Sequence, residues 1–187
     1  MRSFALSCII LSVLLLSSTS HALPLKKSNH IFMVREKSSS NELIESTCKN
    51  TPNYQLCVTI LLSDSRSFDT DIYGLGLVVV DALKDKATST VEYINKLKGS
   101  NPEFSLPLIQ CSIMYNAILK ADIPQAIEGL RKGVPKFAED GMADTAVEVQ
   151  GCENSFKQSN NNSLLTDMNQ DVYDISVVAK SIIRMLL

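Results

Sequence analysis

The chain has 187 residues, and its 18 Lys and Arg against 20 Asp and Glu leave a net charge of −2, which gives no reason to expect nucleic acid or an anionic membrane as a partner. With no Trp, only 7 Gly, and long runs of Leu, Ala, Ile, Lys and Glu, the composition favours an all-α protein over a sheet architecture. The length suits one domain of ordinary size with a small appended module.

Residues 1–22 read as a secretory signal peptide. Arg2 supplies the positive start, Phe4 to Leu16 the apolar stretch, and Ser20-His21-Ala22 the small residues of a cleavage site. The apolar stretch is short for a membrane span, and no later segment offers about 20 uninterrupted apolar residues, so an exported, soluble protein is expected. Cleavage after Ala22 removes Cys8 and leaves Cys48, Cys57, Cys111 and Cys152. Four cysteines in a secreted chain imply two disulfides in one of three connectivities. The pairing Cys48 with Cys57 and Cys111 with Cys152 is favoured, because each bridge then ties one helical hairpin. Metal ligation or redox chemistry is disfavoured, since there is no Cys-x-x-Cys and no histidine near these cysteines.

Residues 23–40 form an N-terminal tail with Lys26, Lys27, Arg35 and Lys37, a short amphipathic piece at Ile31 to Val34, and His30, the histidine that survives processing. Residues 41–63 form a small α-hairpin module. Its helices run from Asn41 to Lys49 and from Pro52 to Leu62, the second started by Thr51-Pro52. So small a unit has little core, and a disulfide compensates by restricting its unfolded states.

Beyond a polar loop, residues 70–187 read as four amphipathic helices. Thr70 or Asp71 caps the first, which runs to about Lys98 with Ile72, Leu75, Val79, Leu83, Ala87, Val91, Ile94 and Leu97 on one face. The second carries Leu106, Ile109, Ile113, Tyr115 and Leu119, with a kink or short break expected at Asp122-Ile123-Pro124. The third follows Gly133 and runs through Phe156, its inner face built from Ala146, Val149, Cys152 and Phe156. Its outer face bears Asp140, Asp144 and Glu148, a single stripe better read as solvated than as a metal site. Asn161-Asn162-Ser163, in the following polar linker, makes Asn161 a candidate for N-glycosylation. Leu165, Met168, Val172, Ile175, Ala179, Ile182 and Leu186 give the last helix its inward face. Short connections between such helices imply an up-and-down four-helix bundle, here with an N-terminal disulfide-stapled α-hairpin.

The stretch Gly133-Val134-Pro135-Lys136-Phe137 lies between the helices of Cys111 and Cys152. Glycine then proline is ordinary helix-start chemistry, and a phenylalanine in the first turn ordinarily packs inward. The other reading is a stiff tip that holds a cation and an aromatic out toward another protein's cleft. Catalysis is not expected, because no Ser/His/Asp or Cys/His set and no phosphate loop can be assembled, and no cofactor is implied.

The signal peptide, Cys48-x8-Cys57 across a short hairpin, Cys111-x-x-x-Tyr115-x-Ala117, and Gly151-Cys152-Glu153-x-x-Phe156 together resemble the plant invertase and pectin methylesterase inhibitor family over residues 43–187. Pro135-Lys136-Phe137 is similar to the motif by which the invertase-inhibiting branch enters its target's active-site pocket; the other branch uses a different bundle surface. The resemblance implies a four-helix bundle with the same two disulfides, and a partner that is a cell-wall or vacuolar acid invertase. It also implies residence in the secretory pathway, apoplast or vacuole, and a monomer before binding. Inhibition of pectin methylesterase through a bundle surface is the alternative.

Overall fold

The computed structural model describes residues 40–187, so the signal peptide and all of the tail before residue 40, including His30 and Ile31 to Val34, lie outside the described residues. The described residues form seven α-helices and no strand. They are α1 (40–48), α2 (Tyr54–Ser63), α3 (Ile72–Ser100), α4 (Ser105–Ala117), α5 (Ile123–Arg131), α6 (Pro135–Gln158) and α7 (Thr166–Arg184).

Local chemistry sets several of these limits. Asn53, not Thr51-Pro52, begins α2: its side-chain oxygen accepts from the Leu56 N–H at 3.1 Å, which places the helix start at Tyr54. Asp71 does the same for α3 through the Gly74 N–H at 3.0 Å. The expected loop after α2 contains a 3₁₀ turn, Ser65–Phe68, where Arg66 binds both Asp64 and Asp81 and so ties the module to α3. A disulfide joins Cys48 to Cys57 across the α1–α2 turn.

The bundle proper consists of α3, the α4–α5 rod, α6 and α7, with α6 packed against α4, α5 and α7, and α3 against α4, α5 and α7. Its core holds Leu75, Val79, Leu83 and Ile94 of α3, Met142, Val149 and Phe156 of α6, and Val172, Val178 and Ile182 of α7. Each such side chain, removed from water, contributes about 1.5–3 kcal/mol before the entropy of ordering it is subtracted. On α7 the buried set also includes a polar residue, Asn169, between Met168 and Val172. It accepts from Tyr115 Oη and donates to Glu153 Oε2, both at 2.8 Å, and so joins α4, α6 and α7 beside the second disulfide, Cys111–Cys152.

Of two expectations about the second bundle helix, one is refined and one corrected. The α-helix is interrupted as expected near Asp122-Ile123-Pro124, but just before Ile123 and without leaving the rod: it widens into a π-turn, Ile118–Asp122, and α5 follows directly. Pro124 has no N–H to give, and the wider turn accommodates that loss while the rod continues. The inward face also differs. Leu108, Cys111, Tyr115 and Ile118 are buried, whereas Leu106, Ile109 and Ile113 are exposed. Two apolar stripes run along α4, and the bridge from Cys111 to Cys152 turns one of them toward α6.

Candidate functional site

The α5–α6 connection is short because α5 ends in a Schellman motif. The Val134 N–H donates to the Gly129 carbonyl at 2.8 Å and the Gly133 N–H to that of Leu130 at 3.3 Å, while Gly133 takes a φ of +67° that side chains rarely adopt. Pro135 then opens α6 at its first position, where its missing N–H costs nothing. Lys136 and Phe137 follow within the first turn.

Behind the tip the two helices are in close contact. A methyl group on Gly141 would lie 2.5 Å from the Asp122 carbonyl oxygen, so α6 passes the π-turn at a distance only glycine allows. Gln125 Nε2 donates to the Phe137 carbonyl at 3.0 Å and ties the first turn of α6 back to α5.

The side chains at this tip point into solvent. Lys136 is 64% exposed and Phe137 43% exposed, so the phenylalanine is not an inward staple. Pro135 between them and the turn is half-buried. The Lys136 ammonium lies 2.6 Å from Asp140 Oδ1 and 2.9 Å from Glu139 Oε2. These partners, Asp140 first, hold its proton more tightly than an ordinary lysine's. Glu139 is buried, and its second oxygen accepts from Arg184 Nε at 2.6 Å, from the end of α7. The Lys136 ammonium, opposed by burial and helped by Arg184, keeps the Glu139 carboxyl below its usual range. The positive end of the α6 dipole lies at the same place, so the tip favours anions.

Lys136 with Glu139 and Asp140 at three- and four-residue spacing was readable from the sequence. Arg184, 45 residues from Glu139, had no local signal, nor had the contribution of Gln125. Among the described residues no group of three or more His, Cys, Asp or Glu side chains is gathered closely enough to hold a metal ion. No helix there is long and apolar enough to cross a membrane. Asn161 is partly exposed in the loop between α6 and α7. A groove of about 400 Å³ between α6 and α7 is lined by Val149, Gln150, Glu153, Thr166, Asn169 and Tyr173 among others.

Comparison with known proteins matches residues 42–182 to the family described as plant invertase/pectin methylesterase inhibitor. The cell wall / vacuolar inhibitor of fructosidase 1 of Arabidopsis thaliana is 44% identical over 144 residues, 77% of this chain and 69% of that protein. The cell wall / vacuolar inhibitor of fructosidase 2 of the same plant is 44% identical over 62 residues, 33% of this chain and 34% of that protein. Among solved structures, a mutant form of a pectin methylesterase inhibitor from Arabidopsis superposes with a TM-score of 0.65 at 18% identity, over 77% of this chain and 97% of that one, and so shares the fold. The chain belongs to the plant invertase/pectin methylesterase inhibitor family.

Proposed function

We propose, from that membership, that the protein inhibits a plant acid invertase by inserting the Pro135-Lys136-Phe137 tip into the enzyme's active-site pocket. The observation that carries the reading is the outward projection of Lys136 and Phe137 from a turn braced on both sides. Glycoside hydrolases work with a pair of carboxyl groups, and a lysine ammonium brought among them in a water-poor pocket is strongly held. Phe137 supplies an apolar anchor, and the braced turn reduces the entropy lost on docking. Inhibition is by occupancy and needs no chemistry from the inhibitor. The names of the relatives support a fructosidase, the class to which an acid invertase belongs, as target and the cell wall or vacuole as the place of action. Export through the secretory pathway, glycosylation at Asn161 and a monomeric free state belong to the same proposal.

Inhibition of a pectin methylesterase is the second reading, favoured by the exposed Leu106, Ile109 and Ile113 stripe on α4, a bundle surface far along the chain from the tip. One experiment separates them: an acid invertase and a pectin methylesterase assayed side by side at about pH 5 with the oxidised protein. Loss of sucrose hydrolysis alone is expected. Lys136→Ala with Phe137→Ala should then weaken inhibition by about 100-fold or more while leaving the far-UV circular dichroism unchanged. Full potency in that double variant would remove the tip from the mechanism.

A further inference from the structure

In the free protein the Lys136 ammonium is already spoken for by Glu139 and Asp140. To reach a carboxylate on another protein it must leave both. Leaving Asp140 is easy, because that side chain is half in water and can be rehydrated. Leaving Glu139 is different. Its side chain is 5% exposed, and a buried carboxylate stripped of its counter-ion is strongly destabilising. Arg184 removes that difficulty, since it reaches from α7 to the other oxygen of the same carboxylate at 2.6 Å. One buried anion thus has two cations on two different helices, and keeps one when the other departs.

We propose that Arg184 is a positioning residue that enables Lys136 to be handed over: it keeps Glu139 neutralised while Lys136 moves from its own helix to the target's carboxylates. This rests on the inhibitory reading above and deepens it, because the strength of inhibition is set in part by a residue on α7 that need not enter the pocket. Glu139 in this scheme is a holder of Lys136 and a competitor of the target.

The scheme predicts a pattern of inhibition constants that a simple buttress does not. Arg184→Gln should weaken inhibition about 10-fold or more, because Lys136 is then the sole counter-ion of a buried carboxylate. Arg184→Lys, which keeps the charge, should restore most of that loss. Glu139→Gln should leave potency unchanged or improved, and Glu139→Gln with Arg184→Gln should return to the same level. A buttress would make Glu139→Gln as harmful as Arg184→Gln, with no rescue in the double variant; that result, or an Arg184→Gln protein of full potency, overturns the proposal. The Lys136 side-chain titration, followed by NMR in the free protein, tests the clasp without any enzyme. It should move up in Arg184→Gln and down in Glu139→Gln, and unchanged titrations overturn the clasp whatever the enzyme assays give. If the titrations move as expected but the wild-type protein leaves invertase uninhibited, the clasp stands and the target assignment falls.

Discussion

The α1–α2 hairpin is closed at its turn, by cysteines with a sequence separation of 9, whereas the bridge that steadies the α5–α6 hairpin spans a separation of 41 and lies well behind the tip. Around the first turn the noncovalent contacts are mostly local: Thr51 donates to the Cys48 carbonyl, Asn50 to that of Ser46, Asn53 caps α2, Tyr54 donates to Glu45, and only Ile44 and Leu61 with the two cysteines and Thr47 are buried there. The second turn owes its shape to noncovalent contacts, namely a Schellman ending, a glycine against a carbonyl, and the Gln125 bond to the Phe137 carbonyl, with a carboxylate between two cations beside it. A covalent bond suits a module with too small a core. A surface that must hold its shape and still exchange a charge with a partner is better served by contacts that can be remade.

The contrast can be broken most severely at the bridges. Replacing Cys111 and Cys152 by Ser should cost about 4 kcal/mol, and replacing Cys48 and Cys57 about 3 kcal/mol, from the loop lengths released. Chemical denaturation reads both. Only the first pair should also weaken inhibition, because only that bridge ties α6 to the α4–α5 rod from which the tip projects. Equal losses of potency would contradict the division of labour.

Gly141→Ala sharpens the comparison at the tip itself. The added methyl must push α6 off the Asp122 carbonyl, at a cost of about 2 kcal/mol in thermal or urea unfolding, and should weaken inhibition with it. The same change at exposed Gly99, where nothing lies within 4 Å of the added carbon, serves as the control.

The smallest expected effect concerns pH. Burial, reinforced by the charges of Asp144 and Glu148, pushes the Asp122 carboxyl from 3.8 up to about 6, and its Oδ2 has no hydrogen-bond partner among the described residues. The folded chain therefore binds this proton more tightly than the unfolded one, so stability rises as pH falls through about 6 and levels off below about 4. Asp122→Asn should add about 1–2 kcal/mol at neutral pH and almost nothing at pH 4, a slope that unfolding curves across this range would reveal. Glu139 behaves oppositely: its carboxyl is held below its usual value of 4.5, and the stability from its two cations is lost as pH falls through that lowered value. The two groups leave mildly acidic solution as the range in which the tip end of the bundle is best supported.

Much of this architecture was legible in the chain. The α3 face through Leu75, Val79, Leu83 and Ile94 and the α7 face through Val172, Ile175, Ala179 and Ile182 follow their helical periods and are buried. Reading failed where two answers fitted equally well. On α4, Leu106, Ile109 and Ile113 satisfy the same spacing rule as Leu108, Cys111 and Tyr115, and only a contact with a distant helix decides between them. Asn169 breaks an apolar rhythm for the sake of Tyr115 and Glu153, partners that no local window contains. At the tip, the turn and its proline were visible; the outward direction of Phe137 and the reach of Arg184 depend on how α6 lies against α5 and α7.

The π-turn at Ile118–Asp122 has a bearing on which changes of length the chain can tolerate. The π-turn holds one residue more than an α-helical turn, so removing one there would let the rod relax into a continuous α-helix and keep its register, whereas adding or removing a residue elsewhere in the rod would rotate everything after it by about 100°. Gly133 and the tip would then face a different quarter of the bundle, although no side chain of the tip had changed. The spacing between Cys111 and Gly133 is therefore a constraint everywhere but at that turn: other insertions and deletions belong in the polar stretch between α6 and α7, where the chain is already irregular, and not in the rod that aims the tip.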